Sequence, residues 1–152
     1  MPRNIYLLQQ SLPLAQARCI VDGAILYAGG QDMNPITVTV VDLSGEPIAS
    51  DRMDGCAPLR VAVSRGKAKA ALGYGLSSGV IGERNDSRPA FLASVAAAAG
   101  GEFIPVAGGV LILNERDEVI GAVGVSGDSS HNDECAALAG IKSSALKAGI
   151  EP

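Results

Sequence analysis

The feature that most constrains this chain is a pair of strand–turn–strand segments. ITVTVVD (36–42) is rich in β-branched residues, SGEP (44–47) is a turn, and PIASDRMD (47–54) carries the chain back. GVLILN (109–114), the charged turn ERDE (115–118) and VIGAVGVSG (119–127) repeat the arrangement. Aliphatic, β-branched runs broken by short polar turns predict hairpins. Hairpins join antiparallel neighbours, whereas parallel strands need a crossover of about a dozen residues or more. Two hairpins therefore argue against a parallel doubly wound sheet. They predict an α+β fold, with one antiparallel sheet of about five strands and flanking helices.

The segments between the hairpins supply the helices. Residues 12–28 are apolar at 14, 17, 20/21, 24/25 and 28, which is helical spacing, with Ser11 expected as the cap and Gly29-Gly30 as the stop. A second, Ala-rich helix is expected from Leu59 to Tyr74, with Gly66 as its weak point. Residues 75–90 read as a loop holding at most a short helical turn from Ser77. A helix over 91–99, an irregular extended stretch over 101–109 and a last helix over 132–147, capped by Ser129 or Ser130, complete the chain. The 152 residues suit one domain spanning 1–152, with its core over 12–148.

Composition decides what that core is made of. Hydrophobic residues are 47% of the chain, but aromatics are 3% and Trp is absent. Packing must rest on Ala, Val, Leu and Ile, with 19 glycines allowing close backbone approach. Small side chains each bury little area, at about 25 cal/mol per Å². The composition therefore predicts further burial between subunits, in a homo-oligomer. The net charge of −4 leaves no basic footprint for nucleic acid. Arg60, Arg65, Lys67 and Lys69 fall around a helix and read as solvated surface. No apolar run approaches the ~20 residues of a membrane span, and the first residues lack a signal-peptide core. A soluble, cytoplasmic protein is expected. Cys19 and Cys135 sit in helical patterns and read as small buried hydrophobes, whereas Cys56, in a turn beside Gly55, is the candidate for exposure.

Three glycine-bearing polar segments, near 54, 108 and 127, each adjoin the end of an expected strand. Their convergence would outline a pocket. In GVSGDSSHND (124–133) the glycines mark a close neighbour, either a helix backbone or a ligand. Asp128, Asp133 and Glu134 argue against phosphate there, and no phosphate-loop motif is present. His131 is the only histidine. It reads as an exposed helix-start residue, as a metal or haem ligand, or as a general base beside Asp133 or Asp128. In DRMDGCAPLR (51–60), Arg52 and Arg60 bracket Met53. They either hold a ligand carboxylate or pair with Asp51 and Asp54. An organic-acid enzyme (isomerase, hydratase or hydrolase) is one reading of this equipment. Arg60 would anchor the substrate, His131 or Asp133 would move a proton, and N–H groups near Gly108, Gly109 and Gly127 would hold an enolate.

The same segments carry a resemblance. LPLAQARCIVDGAI, VVDLSG (40–45), RMDGCAPL (52–59), KAKAA (67–71), VAGGVLI (106–112) and VIGAVGVSGDSSHNDE (119–134) follow one another in this order. Together they resemble the GlcG/HbpS-type family, which also occurs as the C-terminal module of PduO-type corrinoid adenosyltransferases. The resemblance implies a profilin-like fold, homo-oligomers and a small ligand such as haem or a corrinoid. It points to Arg52, Met53, Lys67, Gly108, Gly109, Ser126, Gly127 and Asp128 as ligand-binding residues and to His131 as the metal ligand. Asp128 replaces the family's second glycine after GVSG, and Cys56 is an extra residue within its RMDGAP pattern.

Overall fold

Both hairpins form in the structure, a computed structural model that describes residues 3–152. β1 (Thr37–Val41) pairs with β2 (Pro47–Arg52), and β3 (Gly109–Leu113) pairs with β4 (Val119–Ser126). β1 also lies antiparallel to β4, so the two hairpins share one sheet. A short strand, β5 (Lys147–Gly149), joins the far side of β3. The order is β2-β1-β4-β3-β5, and every pairing is antiparallel. The fold is α+β with five antiparallel strands, as the hairpins require.

Helices cover both faces. α1 (Leu14–Gly30) and α5 (Ser130–Ser143) pack on one, where Ile20, Val21 and Ala24 meet Val38, Val40, Val123, Val125 and Ile141, with Tyr27 packed half-buried at the side of this aliphatic core. α2 (Leu59–Tyr74) covers the other, placing Ala68 and Ala71 on Val41, Leu111 and Ala122. α3 (Ser78–Arg84) and α4 (Pro89–Ala98) flank α2, and Ala70, Ile81 and Phe103 form a small third cluster there. α4 is apolar along most of its length yet has no buried residue.

The glycines explain how α2 comes so near the sheet. Gly109 and Gly124 are cross-strand partners in β3 and β4. A Cβ on Gly124 would collide with the Ser64 carbonyl of α2, and one on Gly109 with the Lys67 carbonyl. The helix backbone therefore rests on the sheet backbone. On the other face, Gly140 of α5 lies against the Ile20 carbonyl of α1 in the same way.

Several local expectations are corrected. Ser11 does not cap α1; Pro13 holds that position without a side-chain bond, and the Ser11 hydroxyl donates to the Ile120 carbonyl instead. Residues 78–84 form a full helix, whose Gly79 and Gly82 let it approach Ala107 and the Pro105 carbonyl. The last helix stops at Ser143 rather than Lys147. Ala145 takes a left-handed φ of 61°, turning the chain into β5. The cysteine expectations invert: Cys19 is exposed, Cys135 is partly exposed, and Cys56 is buried with its sulfur 3.3 Å from the Thr37 hydroxyl. Among the described residues, no helix is long and apolar enough to cross a membrane.

Candidate functional site

The segments near 54, 108 and 127 meet at one end of the sheet, where β4 ends and α2 and α5 begin. The Val125 N–H donates to the Gly108 carbonyl, and the Met53 N–H donates to the Ile36 carbonyl beside Gly127. The hollow expected between them is filled by the protein itself. A Cβ on Gly127 would strike the Pro35 carbonyl, and the Gly109 N–H is already taken by the Ser78 hydroxyl at 2.8 Å. Gly109 therefore has no N–H left to offer an enolate. Gly108, at φ 129°, clears a passage for the ammonium of Lys67, which would lie 2.9 Å from a Cβ there.

Lys67 corrects the reading of α2's basic residues as solvated surface. Its side chain is 3% exposed and its ammonium donates to the Val125 carbonyl at 2.9 Å and to Asp133 Oδ2 at 3.0 Å. Asp133 is 1% exposed, and its Oδ1 accepts the Asp128 N–H at 2.9 Å. Burial pushes the Lys67 pKa down, and the Asp133 charge opposes that shift. With both carboxylate oxygens engaged, Asp133 anchors the start of α5 rather than moving a substrate proton. Lys67 is likewise committed inside the protein.

Asp128 and Met53 are also spent within the chain. The Asp128 carboxylate accepts the Asn34 and Ser129 N–H groups and the Asn132 amide, and these bonds hold its pKa below the usual carboxylate range. The Met53 sulfur accepts the Ile36 N–H at 3.4 Å, while the side chain packs against the core.

Other residues remain available at this end. Arg60, half-buried at the start of α2, donates to the Ser126 hydroxyl at 3.2 Å. Among the described residues it has no carboxylate within ion-pair distance; Asp51 pairs with Arg18 at 3.3 Å, and Asp54 forms no ion pair. Arg52, at the end of β2, is exposed. His131 is exposed in the first turn of α5, with its Nε2 3.7 Å from the Cys135 sulfur one turn on. Glu134, three residues after His131 in α5, faces α3, where its Oε2 would lie 3.3 Å from a Cβ on Gly79. Burial, then the Glu83 charge, raises its pKa, while His131 and Lys67 pull the other way.

Neither Glu134 nor Cys135 stands out as a site residue on sequence grounds. The i, i+4 spacing of His131 and Cys135 is a signal that points to the second; the approach of Glu83 from α3 leaves no such local mark. Two cavities lie elsewhere. One, of about 660 Å³, is lined by residues 8–12, Leu14, Asp42–Ser44 and Ile48; the other, of about 410 Å³, lies beside β5. Neither is lined by a His, Cys, Met or Tyr. Among the described residues, no group of three or more His, Cys, Asp or Glu could hold a metal ion.

The architecture defines an α+β domain whose unspent polar groups gather at one end of an antiparallel sheet. The chain belongs to the family described as haem degrading protein HbpS-like, whose model matches residues 12–142. It is 33% identical over 108 residues to Protein GlcG of Escherichia coli strain K12, covering 68% of this chain and 75% of that protein. Its fold is similar to that of the crystal structure of a PduOC–haem complex, with a TM-score of 0.81 at 19% identity, covering 92% of this chain and 99% of the other. A crystal structure of Klebsiella pneumoniae protein ORFY is similar at a TM-score of 0.80 and 23% identity, covering 95% and 98%. That of HbpS follows at 0.75 and 22%, covering 91% and 93%.

Proposed function

We propose that this protein binds a small ligand bearing carboxylates, held against Arg60 where β4 passes into α5, and that haem is that ligand. The observation that carries the reading is the Arg60 guanidinium. It is half-buried, oriented by the Ser126 hydroxyl and unmatched by any carboxylate among the described residues, although two aspartates lie close in sequence. An arginine fixed in this way is suited to a ligand carboxylate.

Family membership and the PduOC–haem complex support haem. The donor set fits it in part. Haem iron is commonly held by His, Cys or Met. Met53 and Cys56 are engaged in the core, which leaves His131 with Cys135 beside it. His131 would hold the iron and Arg60 a propionate. Bound haem would supply redox-active iron. A slot enclosing the ring is not formed around these residues within one chain. A corrinoid carries amides where haem carries carboxylates, so it would leave Arg60 unused; the guanidinium favours haem.

Titration with haemin, followed by absorbance, tests the reading. A Soret shift that saturates, is lost in His131→Ala and weakens about tenfold or more in Arg60→Ala supports it. An unchanged spectrum, or full binding in both variants, overturns it.

Glu134 favours a second reading, an enzyme acting on a small organic acid. A carboxyl group whose pKa is raised first by burial, three residues along α5 from an exposed histidine, would supply a general acid–base pair, to which Arg60 at the start of α2 would add a carboxylate anchor. Screening small carboxylic acids by thermal shift, then assaying the stabilising acids for turnover, tests it: stabilisation lost in Arg60→Ala, and turnover lost in His131→Ala with stabilisation kept, would assign Arg60 to binding and His131 to chemistry. No stabilisation by any of them would remove this reading.

A further inference from the structure

A second arginine shares a face of the sheet with Arg60, and the alternation along β2 puts it there. Asp51 pairs with Arg18 of α1, so Asp51 points to the α1 face. Ser50 points the other way: its hydroxyl meets that of Thr39, which in turn meets Ser64 of α2. Arg52, two residues after Ser50, shares the α2 face. The strand register sets Arg52 beside Thr37, and Thr37 beside Ser126, whose hydroxyl takes the Arg60 guanidinium. Neighbouring strands are about 4.8 Å apart, so the backbones of Arg52 and Ser126 stand about 10 Å apart. The buried Cys56, its sulfur 3.3 Å from the Thr37 hydroxyl, closes the floor between them.

Nothing among the described residues neutralises this pair of cations. Neither Arg52 nor Arg60 enters an ion pair, although Asp54 is close in sequence to both. The start of α2 adds to the positive potential: no acidic residue stands in its first turn, and no side chain caps it. We infer that Arg52 is a second carboxylate anchor, so that the site selects a ligand with two carboxylates, one on each arginine. The inference rests on the reading of Arg60 given above and adds the number of carboxylates recognised. A ligand with one carboxylate would occupy Arg60 and leave Arg52 as it is in the free protein. Two ligand classes carry the required pair: haem, through its propionates, and a free dicarboxylic acid with several carbons between its ends.

The test compares ligands that differ by one carboxylate: haemin with its monomethyl ester, by absorbance, and adipate with hexanoate, by calorimetry. Each is titrated into the parent protein, Arg52→Ala and Arg60→Ala. Arg116→Ala, in the turn between β3 and β4 at the other end of the sheet, controls for the loss of one charge. In at least one pair, the two-carboxylate member should bind the parent protein about tenfold or more tightly than its partner. Arg52→Ala should remove that preference and leave the one-carboxylate member within about twofold of its parent affinity, whereas Arg60→Ala should weaken both. Arg116→Ala should keep the preference. A preference in the haemin pair alone assigns the carboxylates to haem; one in the adipate pair alone assigns them to a free acid. If Arg60→Ala weakens binding but Arg52→Ala keeps the preference, or weakens both members equally, the second anchor is overturned and the Arg60 reading stands. Binding of none of the four, or binding indifferent to Arg60→Ala, overturns both.

Discussion

The ammonium of Lys67 in α2 lies 3.0 Å from a carboxylate oxygen of Asp133 in α5, and both side chains are almost wholly shielded from water. This pair joins the two helical layers around the end of β4. It also fixes the connection that presents His131, since Asp133 takes the Asp128 N–H as well. Removing one partner leaves a buried charge alone, which costs about 3–5 kcal/mol. Lys67→Met and Asp133→Asn should each lose that order of stability in urea unfolding. The double variant Lys67→Met/Asp133→Asn should lose less than the sum. Additive losses would show that the pair is not coupled.

Glycine substitutions should divide by what their Cβ meets. Gly124→Ala places a methyl group against the Ser64 carbonyl and should cost about 1–3 kcal/mol or more. Gly73, within α2, faces open space, with no neighbour within 4 Å of where a Cβ would stand, so Gly73→Ala should stabilise by about 0.5–1 kcal/mol. Equal effects in thermal or urea unfolding would contradict the close seating of α2.

Asp128 should contribute stability that depends on pH. Its folded pKa is depressed below 3.8, first by the Asn34 N–H and then by Ser129 and Asn132. Its contribution is therefore complete above 3.8 and is lost as pH falls through the folded value. The stability gap between the parent protein and Asp128→Ala should be constant from neutral pH to about pH 5 and shrink in more acidic buffer. A gap independent of pH down to the acid limit of folding would remove the carboxylate from this role.

Thiol reactivity should separate the three cysteines. Cys19 is exposed and Cys56 buried, so an aromatic disulfide reagent should modify Cys19 in the folded protein and reach Cys56 only on unfolding. Peptide mass analysis after brief labelling checks this. Early modification of Cys56 would mean that the turn at Asp54–Gly55 opens readily.

Much of the architecture was legible because its signals are local. Hairpin turns, β-branched runs and the 3.6-residue spacing of α1 lie within short windows of sequence. The seven-residue α3 was obscured by its two glycines, which lower helix propensity but let the helix lie close to residues 105–107. β5 was hidden because the turn at Ala145 adopts a left-handed conformation with no glycine to announce it. At the candidate site, composition marked the right end of the molecule but not the use of its residues. Lys67 looked like one more surface cation on α2; its partner is 66 residues away, and the passage to it exists because Gly108 has no side chain. Asp128 and Asp133 likewise looked available until their hydrogen bonds were seen.

The contact of α2 with the Gly109–Gly124 pair bears on how the Arg60 end is tuned. Side chains between two layers can change rotamer and absorb a small shift; bare main chain against main chain has no such slack. A methyl group added at position 109 would displace the helix as a rigid rod and carry the guanidinium at its first turn along with it. If Arg60 holds the ligand as proposed, affinity should thus be adjustable from the middle of the sheet, by residues that never touch what is bound.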